Sequence, residues 1–378
     1  MIQRIALLVL LAAIESTCLS QAVQNIKGVI VDKDSEIPLP GVNVFIRGTQ
    51  PVIGTITDEK GYFILNEVPL GRHTVMASYI GYTKAIYPNV TVGAGKEVVL
   101  NIGMTENSTL LNEVTVKPKP TAIHETVNSM NIISGRRFSV EDTRRYAGGL
   151  ADPARMVTAF AGVSAGNIED NAIIVRGNNP KYIGWHLEGV EIPNPNHFSS
   201  INVIGGGFVT IFSNQLLSNS DFFTGAFPAE YGNTLSGVFD MRLRSGNRDK
   251  REYTIQAGIM GLDFAAEGPF MKGKDASYLV NYRYSTMSLV SPLVPSEQVP
   301  QYQDLSFKLN FPTQKLGTFS IWGIGALDQN VQPVLDDSTS WTQEFDRFSY
   351  DFSQKTAATG LTHRKIFGNK TFLHSTLV

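Results

Sequence analysis

Histidine is the residue type in this chain that is best suited to hold a metal ion or transfer a proton, and the chain has 6 histidines. A catalytic zinc site needs two ligands at a short, fixed spacing, such as His-x-x-Glu or His-Glu-x-x-His, and a third ligand elsewhere. None of the histidines begins such a motif; they are His73, His124, His186, His197, His363 and His374. We therefore predict no metal site, no cofactor and no enzymatic activity.

The single cysteine, Cys18, lies at the end of an N-terminal segment that is typical of a secretory signal peptide. Arg4 precedes an apolar run over residues 5–14, and Ser20-Gln21-Ala22 offers a small-x-small cleavage site. We predict that residues 1–22 are a signal peptide and that the chain is exported. The mature chain would then have no thiol, which excludes disulfides and thiolate metal sites.

One short segment has the features needed to bind a partner through its backbone. Glu113-Val114-Thr115-Val116 is strand-prone, and Pro118 and Pro120 keep the residues after it extended and unable to join a ladder. An unpaired extended segment can add a strand to the edge of a partner's sheet, which is β-augmentation. The alternatives are a last strand of the preceding domain or an ordinary linker.

The composition favours a β protein that is rich in turns. The chain has 378 residues, enough for two or three domains, with 34 glycines, 21 phenylalanines and 13 tyrosines. The formal net charge is −2, so the chain lacks the basic surface that nucleic acids bind, and we predict no nucleic-acid partner.

Residues 24–105 alternate short β-prone runs with turn signals at the spacing expected of a β-sandwich. In one of these runs, Val42, Val44 and Ile46 are predicted to face the core, and the residues between them the other side. The segment resembles the carboxypeptidase regulatory-like domain, which implies a non-catalytic module. The matching motifs are Gly28, Asp32, Pro40-Gly41-Val42-Asn43-Val44, Thr57-Asp58-Glu59-Lys60-Gly61-Tyr62-Phe63 and Ser78-Tyr79-Ile80-Gly81-Tyr82. Residues 106–120 are predicted as a linker.

Residues 121–248 mix helical and strand signals, which predicts an α+β domain. Asp152 is suited to cap a helix whose first residue is Pro153. Strands are predicted over residues 173–176 and 183–187. A further strand, buried on one face, is predicted where apolar and charged residues alternate, at Phe239, Asp240, Met241, Arg242, Leu243 and Arg244.

The same segment resembles the plug domain of TonB-dependent outer-membrane receptors. The matching elements, in order, are Ala161-Gly162-Val163, Ile174-Val175-Arg176-Gly177, Glu188-Gly189-Val190, Pro228, Tyr231-Gly232, Ser236-Gly237-Val238 and Asp240-Met241. Ala161 stands where the family usually has proline, and Glu188 where it usually has aspartate.

Residues 249–378 contain alternating runs that predict the first strands of an outer-membrane β-barrel. In one run the apolar residues Leu305, Phe307, Leu309 and Phe311 oppose the polar residues Asp304, Ser306, Lys308 and Asn310. Six runs are predicted, at about 252–266, 276–289, 303–312, 315–328, 350–366 and 370–378. Surface strands of a soluble sandwich would also alternate, but the length of the runs and their tyrosine and phenylalanine content favour a barrel.

A plugged outer-membrane transporter has a barrel of roughly 22 strands. Residues 249–378 are too few for that number, so we expect an incomplete barrel and a chain that is a fragment of a longer protein.

The resemblance implies a receptor in the outer membrane of a Gram-negative bacterium that takes up a scarce ligand with energy from the inner membrane. Glu113-Val114-Thr115-Val116 then occupies the place of the TonB box, the segment that pairs with TonB in the periplasm. The other implied partners are outer-membrane lipid, a surface lipoprotein, and a small-molecule, glycan or peptide ligand such as a siderophore, vitamin or oligosaccharide.

Two loops of the plug that are rich in Asn and Pro are predicted to contact the ligand. Their residues are Asn178, Asn179, Lys181, Asn194, Asn196, His197 and Phe198. The alternative function is a secreted or envelope binding or adhesion protein that is built on the N-terminal β-sandwich and does not transport. That alternative leaves the plug-like motifs unexplained.

Overall fold

The computed structural model describes residues 23–33, 35–106, 126–128, 130, 133–139, 142–143, 146, 149–150, 152–166, 170–258, 261–285, 300–332, 334, 337–341, 347–368 and 371–378. The predicted signal peptide and the segment Glu113-Val114-Thr115-Val116 lie outside these residues. The chain divides into two compact units, residues 1–123 and residues 124–378, and is mainly β as predicted.

The first unit is a sandwich of two sheets, with strand orders β4-β1-β7 and β3-β2-β5-β6. Its strands are β1 (Val23–Asp32), β2 (Asn43–Ile46), β3 (Gly54–Ile56), β4 (Tyr62–Pro69), β5 (Gly71–Ser78), β6 (Ala85–Val92) and β7 (Val98–Met104). The predicted inward residues Val42, Val44 and Ile46 are buried between the sheets. The burial prediction for this run is therefore confirmed.

Strands β1 and β7 run parallel, and their close approach explains one glycine of the family motif. A Cβ atom on Gly28 would lie 1.7 Å from the carbonyl oxygen of Leu100, so no larger residue fits there.

In the second unit, the described residues from 126 to 247 form a mixed domain, which we call the central domain. A five-stranded sheet has the order β12-β11-β14-β13-β8, and β9 and β10 form a hairpin. The elements are β8 (Gly135–Phe138), α1 (Pro153–Met156), β9 (Val163–Ala165), β10 (Ile173–Val175), β11 (Gly184–Leu187), β12 (Val190–Glu191), β13 (Ser220–Phe223) and β14 (Val238–Met241).

The predicted helix is present but has only four residues. Asp152 caps it as predicted, because its Oδ1 accepts hydrogen bonds from the backbone N–H groups of Ala154, at 2.7 Å, and Arg155, at 3.4 Å. Within the described part of the chain, no helix has the length and apolar character needed to cross a membrane.

The prediction that the strand around Asp240 is buried on one face only is wrong. All four residues of β14 are buried, and the Asp240 side chain is 3% exposed. The reason is that Tyr231 and residues 126–128 cover the charged face of the sheet, which alternation along one strand cannot reveal.

The rest of the second unit is a seven-stranded antiparallel sheet with its strands in chain order, which we call the wall. Its strands are β15 (Glu252–Gly258), β16 (Gly261–Pro269), β17 (Ser277–Tyr284), β18 (Gln301–Thr313), β19 (Gly317–Gln332), β20 (Tyr350–Phe367) and β21 (Thr371–Leu377).

The prediction of six runs is wrong at the first of them, because residues 252–266 form parts of two strands. The chain reverses between Gly258 and Gly261, which pair with each other across the hairpin. Gly261 has a φ of 138°, and a Cβ atom there would lie 2.4 Å from the carbonyl oxygen of Tyr284. Glycine permits this reversal within a continuous alternating pattern.

The covered face of the wall carries buried polar side chains together with the apolar Leu279, Trp322 and Ile324, while its open face exposes large apolar side chains. In β18 the alternation is confirmed, because Asp304, Ser306, Lys308 and Asn310 are buried while Leu305 is 44% exposed. Other large apolar residues on the wall are exposed as well, among them Ile255 at 74%. This polarity is the reverse of that expected for a sheet that packs onto a soluble core.

Candidate functional site between the central domain and the wall

The central domain and the wall share one hydrophobic core. Trp185 and Phe239 of the central domain stack with ring centroids 4.4 Å apart, and they belong to the same buried cluster as Leu279, Trp322 and Ile324 of the wall. Around this core, charged side chains join the two parts at three places, named here after His197, Glu188 and Arg244. Each of them pairs a residue of the central domain with a buried position on the wall.

Hydrogen bonds of asparagine side chains hold the loop that carries His197 in its conformation. The Oδ1 atom of Asn194 accepts hydrogen bonds from the backbone N–H of Asn196 at 3.0 Å and from its Nδ2 at 2.7 Å. The Nδ2 of Asn194 donates to the carbonyl oxygen of Gly205 at 3.1 Å, and the Nδ2 of Asn171 donates to Oδ1 of Asn196 at 2.9 Å. These bonds fix the direction in which the loop presents His197.

The ring of His197 is fully buried between two carboxylates of the wall. Its Nδ1 lies 2.5 Å from Oδ1 of Asp328 on β19, and its Nε2 lies 2.9 Å from Oδ2 of Asp304 on β18. A carboxylate accepts hydrogen bonds, so both ring nitrogens carry a proton and the ring is an imidazolium. Burial alone would lower the pKa of His197, but the hydrogen bonds and charges of the two aspartates outweigh burial and raise it.

Arg283 of β17 completes the charge balance at this place. Its Nε and Nη2 atoms donate to Oδ2 of Asp304 at 2.9 Å and 2.7 Å, and Nη2 also donates to the carbonyl oxygen of Thr210 at 2.6 Å. With Asp328 and His197, the group therefore holds two positive and two negative charges. The neutral total reduces the cost of burying charge, because each ion has a partner at contact distance.

Aromatic rings pack around the contact at His197. The ring of Phe198 lies against Tyr302 of β18 and Phe352 of β20, with centroids 6.5 Å and 6.2 Å apart. The His197 and Tyr302 rings are closer, at 4.3 Å. These rings exclude water from the charged group, which strengthens its electrostatic attraction.

The second contact uses the turn between β11 and β12. Glu188 and Gly189 have φ angles of 53° and 85°, as a type I′ hairpin turn requires. The Nζ of Lys308 on β18 lies 2.9 Å from both carboxylate oxygens of Glu188 and donates to the carbonyl oxygen of Leu243 at 2.9 Å. Burial would raise the pKa of Glu188, but the charge and hydrogen bond of Lys308 outweigh it and lower the pKa.

The third contact is a two-pronged ion pair. The Nη1 and Nη2 atoms of Arg244 donate to the two carboxylate oxygens of Glu267 on β16, at 2.5 Å and 2.7 Å. The backbone N–H of Asn247 donates to the same carboxylate at 3.0 Å. The parallel bonds fix both distance and angle, which makes this the most geometrically defined of the three contacts.

The predicted ligand-binding residues fall into two groups with different surroundings. Asn178, Asn179 and Lys181 are exposed; the side chain of Asn179 caps the short turn after it by accepting from the N–H of Lys181 at 3.0 Å. Asn196, His197 and Phe198 are buried, and the side chain of Asn194 is engaged within its own loop. Ligand contact by any of these residues stays a prediction.

Asn194, Asn196, His197 and Phe198 thus do not form an open loop in this structure. The sequence showed a cluster of loop-forming residues. In the structure, the polar atoms of these side chains make hydrogen bonds within the loop and to the wall, which hold the loop in place. Their wall partners, Asp304, Asp328 and Arg283, were not predicted as functional. A signal for them was available, because a charged residue on the covered face of a strand requires a partner across the interface.

The described residues hold no group of three or more His, Cys, Asp or Glu side chains arranged to bind a metal ion. At His197 the two carboxylates approach opposite ring nitrogens, so the three side chains do not converge on one point. The arrangement is suited to fastening two parts of a protein together.

Comparison with known proteins supports both resemblances. Residues 26–116 match the family model described as CarboxypepD_reg-like domain. The TonB-dependent receptor P3 of Formosa agariphila is 24% identical over 197 residues, which cover 48% of this chain and 18% of that relative. The chain thus spans less than a fifth of the length of this curated relative. The predicted resemblance to TonB-dependent receptors with such an N-terminal domain is confirmed.

Solved structures give weaker likenesses. The ferric enterobactin receptor PfeA of Pseudomonas aeruginosa has a TM-score of 0.43 at 13% identity, covering 66% of this chain and 41% of that one. The outer membrane transporter YddB of Escherichia coli has a TM-score of 0.42 at 12% identity, covering 62% of this chain and 37% of that one.

Proposed function

We propose that this chain acts as a TonB-dependent receptor of the outer membrane, in which the wall lies in the bilayer and the central domain is the plug. The observation that carries the proposal is the polarity of the wall. Its exposed face presents large apolar side chains, while the charged side chains of the wall, among them Asp304, Asp328 and Lys308, are buried on the other face against a domain that supplies matching charges. Lipid is the surrounding in which such a sheet is stable, because the large apolar side chains on its open face are then solvated by hydrocarbon.

The three charged contacts act together with the shared apolar core to hold the plug against the wall. Unlike the apolar contacts, an ion pair can exchange its partner for hydration when water enters. In the proposed cycle, a ligand binds from outside, TonB pairs with Glu113-Val114-Thr115-Val116 in the periplasm, and tension on that segment opens a path. The ligand is a siderophore, vitamin, oligosaccharide or peptide.

The family match bears on the partner-binding segment, because it extends through Val116. A last strand of the first domain therefore stays the alternative for these residues. The two interpretations differ in whether the segment is needed for uptake.

The test is to replace Val114 or Val116 with proline in cells that express the receptor. Proline removes a backbone donor and blocks strand addition, so we expect energised uptake to be lost while ligand binding at the cell surface is retained. Lys119→Pro is the matched control, since it adds a proline to the same linker outside the segment, and it should leave uptake unchanged. Normal uptake by the Val116→Pro variant would show that this segment is not the one that pairs with TonB.

Cell fractionation distinguishes the proposed transporter from the alternative, a secreted or envelope binding protein that does not transport. A transporter stays with the outer membrane and needs detergent for extraction. Recovery of the chain in the soluble fraction would favour the binding protein.

A further inference from the structure

The strands of the wall are joined by short connections at one end and mostly by longer ones at the other. The short connections at the first end join β16 to β17, β18 to β19 and β20 to β21, and they are residues 270–276, 314–316 and 368–370. The two long connections of the wall, residues 285–300 and 333–349, both lie at the opposite end. In an outer-membrane barrel the short turns face the periplasm, so the first end is the periplasmic end in the proposed orientation.

Two of the short connections have a backbone that is fixed by hydrogen bonds. In the first, the N–H of Lys274 donates to the carbonyl oxygen of Met271 at 3.1 Å, and Gly273 has a φ of 78°, which glycine adopts without strain. In the second, the hydroxyl of Thr313 donates to the carbonyl oxygen of Gly317 at 2.6 Å. The side chains that these connections carry are therefore held at the end of the wall.

At each of the three connections a lysine lies beside a large apolar side chain. The pairs are Lys272 with Met271, Lys315 with Leu316, and Lys365 with Phe367. Met271, Leu316 and Phe367 are 62%, 58% and 47% exposed. We call Lys272, Lys274, Lys315 and Lys365 the cationic rim. A surrounding that is apolar on one side and anionic on the other suits such pairs, because a lysine can lay its carbon chain on an apolar surface and keep its charge outside.

A row of rings lies between the cationic rim and the apolar part of the open face. Strand pairing places Phe311 opposite Phe319, and Phe319 opposite His363. The ring of Phe270 stacks on Phe311 with centroids 5.3 Å apart, and Phe319 stacks on His363 at 4.3 Å. We call these four residues the aromatic row. Aromatic side chains collect at the level of the lipid headgroups, so the row marks where the hydrocarbon ends.

The acidic residues at this end of the wall have cations of their own. Oδ1 of Asp275 lies 3.8 Å from Nη1 of Arg248, and Oε1 of Glu252 lies 3.7 Å from Nζ of Lys250. A third acidic residue, Asp249, lies between Arg248 and Lys250 in the chain. The four lysines of the cationic rim are therefore a surplus of positive charge, and such a surface attracts a partner with negative charge.

We propose that the cationic rim binds the phosphate groups of anionic phospholipids in the periplasmic leaflet, with the aromatic row and the apolar residues of the connections against the acyl chains. The occupant is bilayer lipid, because lipid covers Met271, Leu316 and Phe367 as well as pairing with the lysines, whereas a soluble anion leaves these apolar side chains in water. This inference rests on the proposed function, which places the wall in the bilayer.

The test measures which lipid collects at the cationic rim. A fluorophore is attached to Gln314→Cys in a Cys18→Ser background, and the chain is inserted into phosphatidylcholine vesicles. These vesicles contain a varied fraction of a lipid with a quencher on its acyl chain, which is either the anionic phosphatidylglycerol or phosphatidylcholine itself. One lysine at a membrane surface strengthens association with anionic lipid about fivefold. We therefore expect half-maximal quenching at a fraction of phosphatidylglycerol about fivefold lower, or lower still, than that of phosphatidylcholine.

Replacing Lys272, Lys274 and Lys315 together with glutamine should remove this preference, and replacing them with arginine should keep it. Lys355→Gln is the matched control, because Lys355 is an exposed lysine that pairs with Leu327 nearer the opposite end of the wall. It should leave the preference unchanged. A fluorophore on Ser338→Cys, in the connection between β19 and β20 at the opposite end, should not distinguish the two lipids.

Equal quenching by the two lipids at Gln314→Cys, or a preference that the glutamine variant retains, would overturn the inference and leave the proposed function standing. Loss of the preference in inorganic phosphate, but not in sodium chloride of equal ionic strength, would also overturn it, because the lysines would then bind the free ion. If neither lipid quenches the fluorophore, the wall does not lie in the bilayer, and the proposed function fails together with the inference.

Discussion

His197 shows how one side chain can fasten a loop to a sheet. Its ring occupies a site between Asp304 and Asp328 in which a neutral or apolar group would leave buried carboxylates with too few partners. We expect His197→Phe to destabilise the second unit by roughly 3–5 kcal/mol, the cost of breaking a buried ion pair by removing one partner. Denaturant unfolding measures this, and His73→Phe in the first unit is the control that should leave the second unit unchanged.

The same residue predicts a pH dependence. The pKa of His197 is raised above the usual 6.5, so the folded protein holds this proton at a pH where the unfolded chain has released it. The stabilisation is therefore complete below about pH 6.5 and is lost as pH rises through the folded pKa. Hydrogen exchange of residues 194–210, corrected for its intrinsic pH dependence, should speed up at alkaline pH. His197→Gln should abolish that change; if it persists, the ring does not cause it.

At the scale of elements, the β11–β12 turn is joined to β18 by Glu188 and Lys308. The side chain of Glu188 is one methylene longer than that of aspartate, and its carboxylate reaches both Lys308 and the backbone N–H of Leu243, the latter at 2.6 Å. Lys308→Met should cost roughly 3–5 kcal/mol because it leaves this carboxylate buried without its cation.

A double-mutant cycle tests whether the pair acts as a unit. Adding Glu188→Gln to Lys308→Met removes the orphan charge, so the double variant should be more stable than Lys308→Met alone. Additive losses in denaturant unfolding would show that the two residues act independently.

Sequence patterns predicted the strands of the wall better than the contacts between the wall and the central domain. The alternation in β18 was predictable because each face of a strand meets a different surrounding, and that produces a period of two. His197 and its partners lie 107 and 131 residues apart in the chain, so no local pattern links them. The β15–β16 hairpin was missed because alternation continues across Gly258 and Gly261. The burial of Asp240 depends on Tyr231, which bonds to Asp240 and to Asn128 from outside the strand.

At the scale of the whole molecule, the open face of the wall predicts membrane insertion. Leu305→Lys places a charge on that face and should reduce insertion into bilayers by about 2–4 kcal/mol if the site lies near the midplane. The change is measured by folding the protein into lipid vesicles at a series of denaturant concentrations. Asp351→Lys, at an exposed position that is already charged, is the control. Equal insertion of Leu305→Lys and the parent would exclude contact of this face with lipid.

The parallel pairing of β1 and β7 has a mechanical consequence. Because the two strands run in the same direction, the chain enters the first unit at one pole of the sandwich and leaves it at the other, and the paired stretch from Ile26 to Asp32 separates the two poles by about 20 Å. A load carried through this unit pulls the strands lengthwise past each other, so the whole ladder must shear at once. The first unit therefore resists a load applied along its two terminal strands more strongly than a sheet whose hydrogen bonds can be broken one after another.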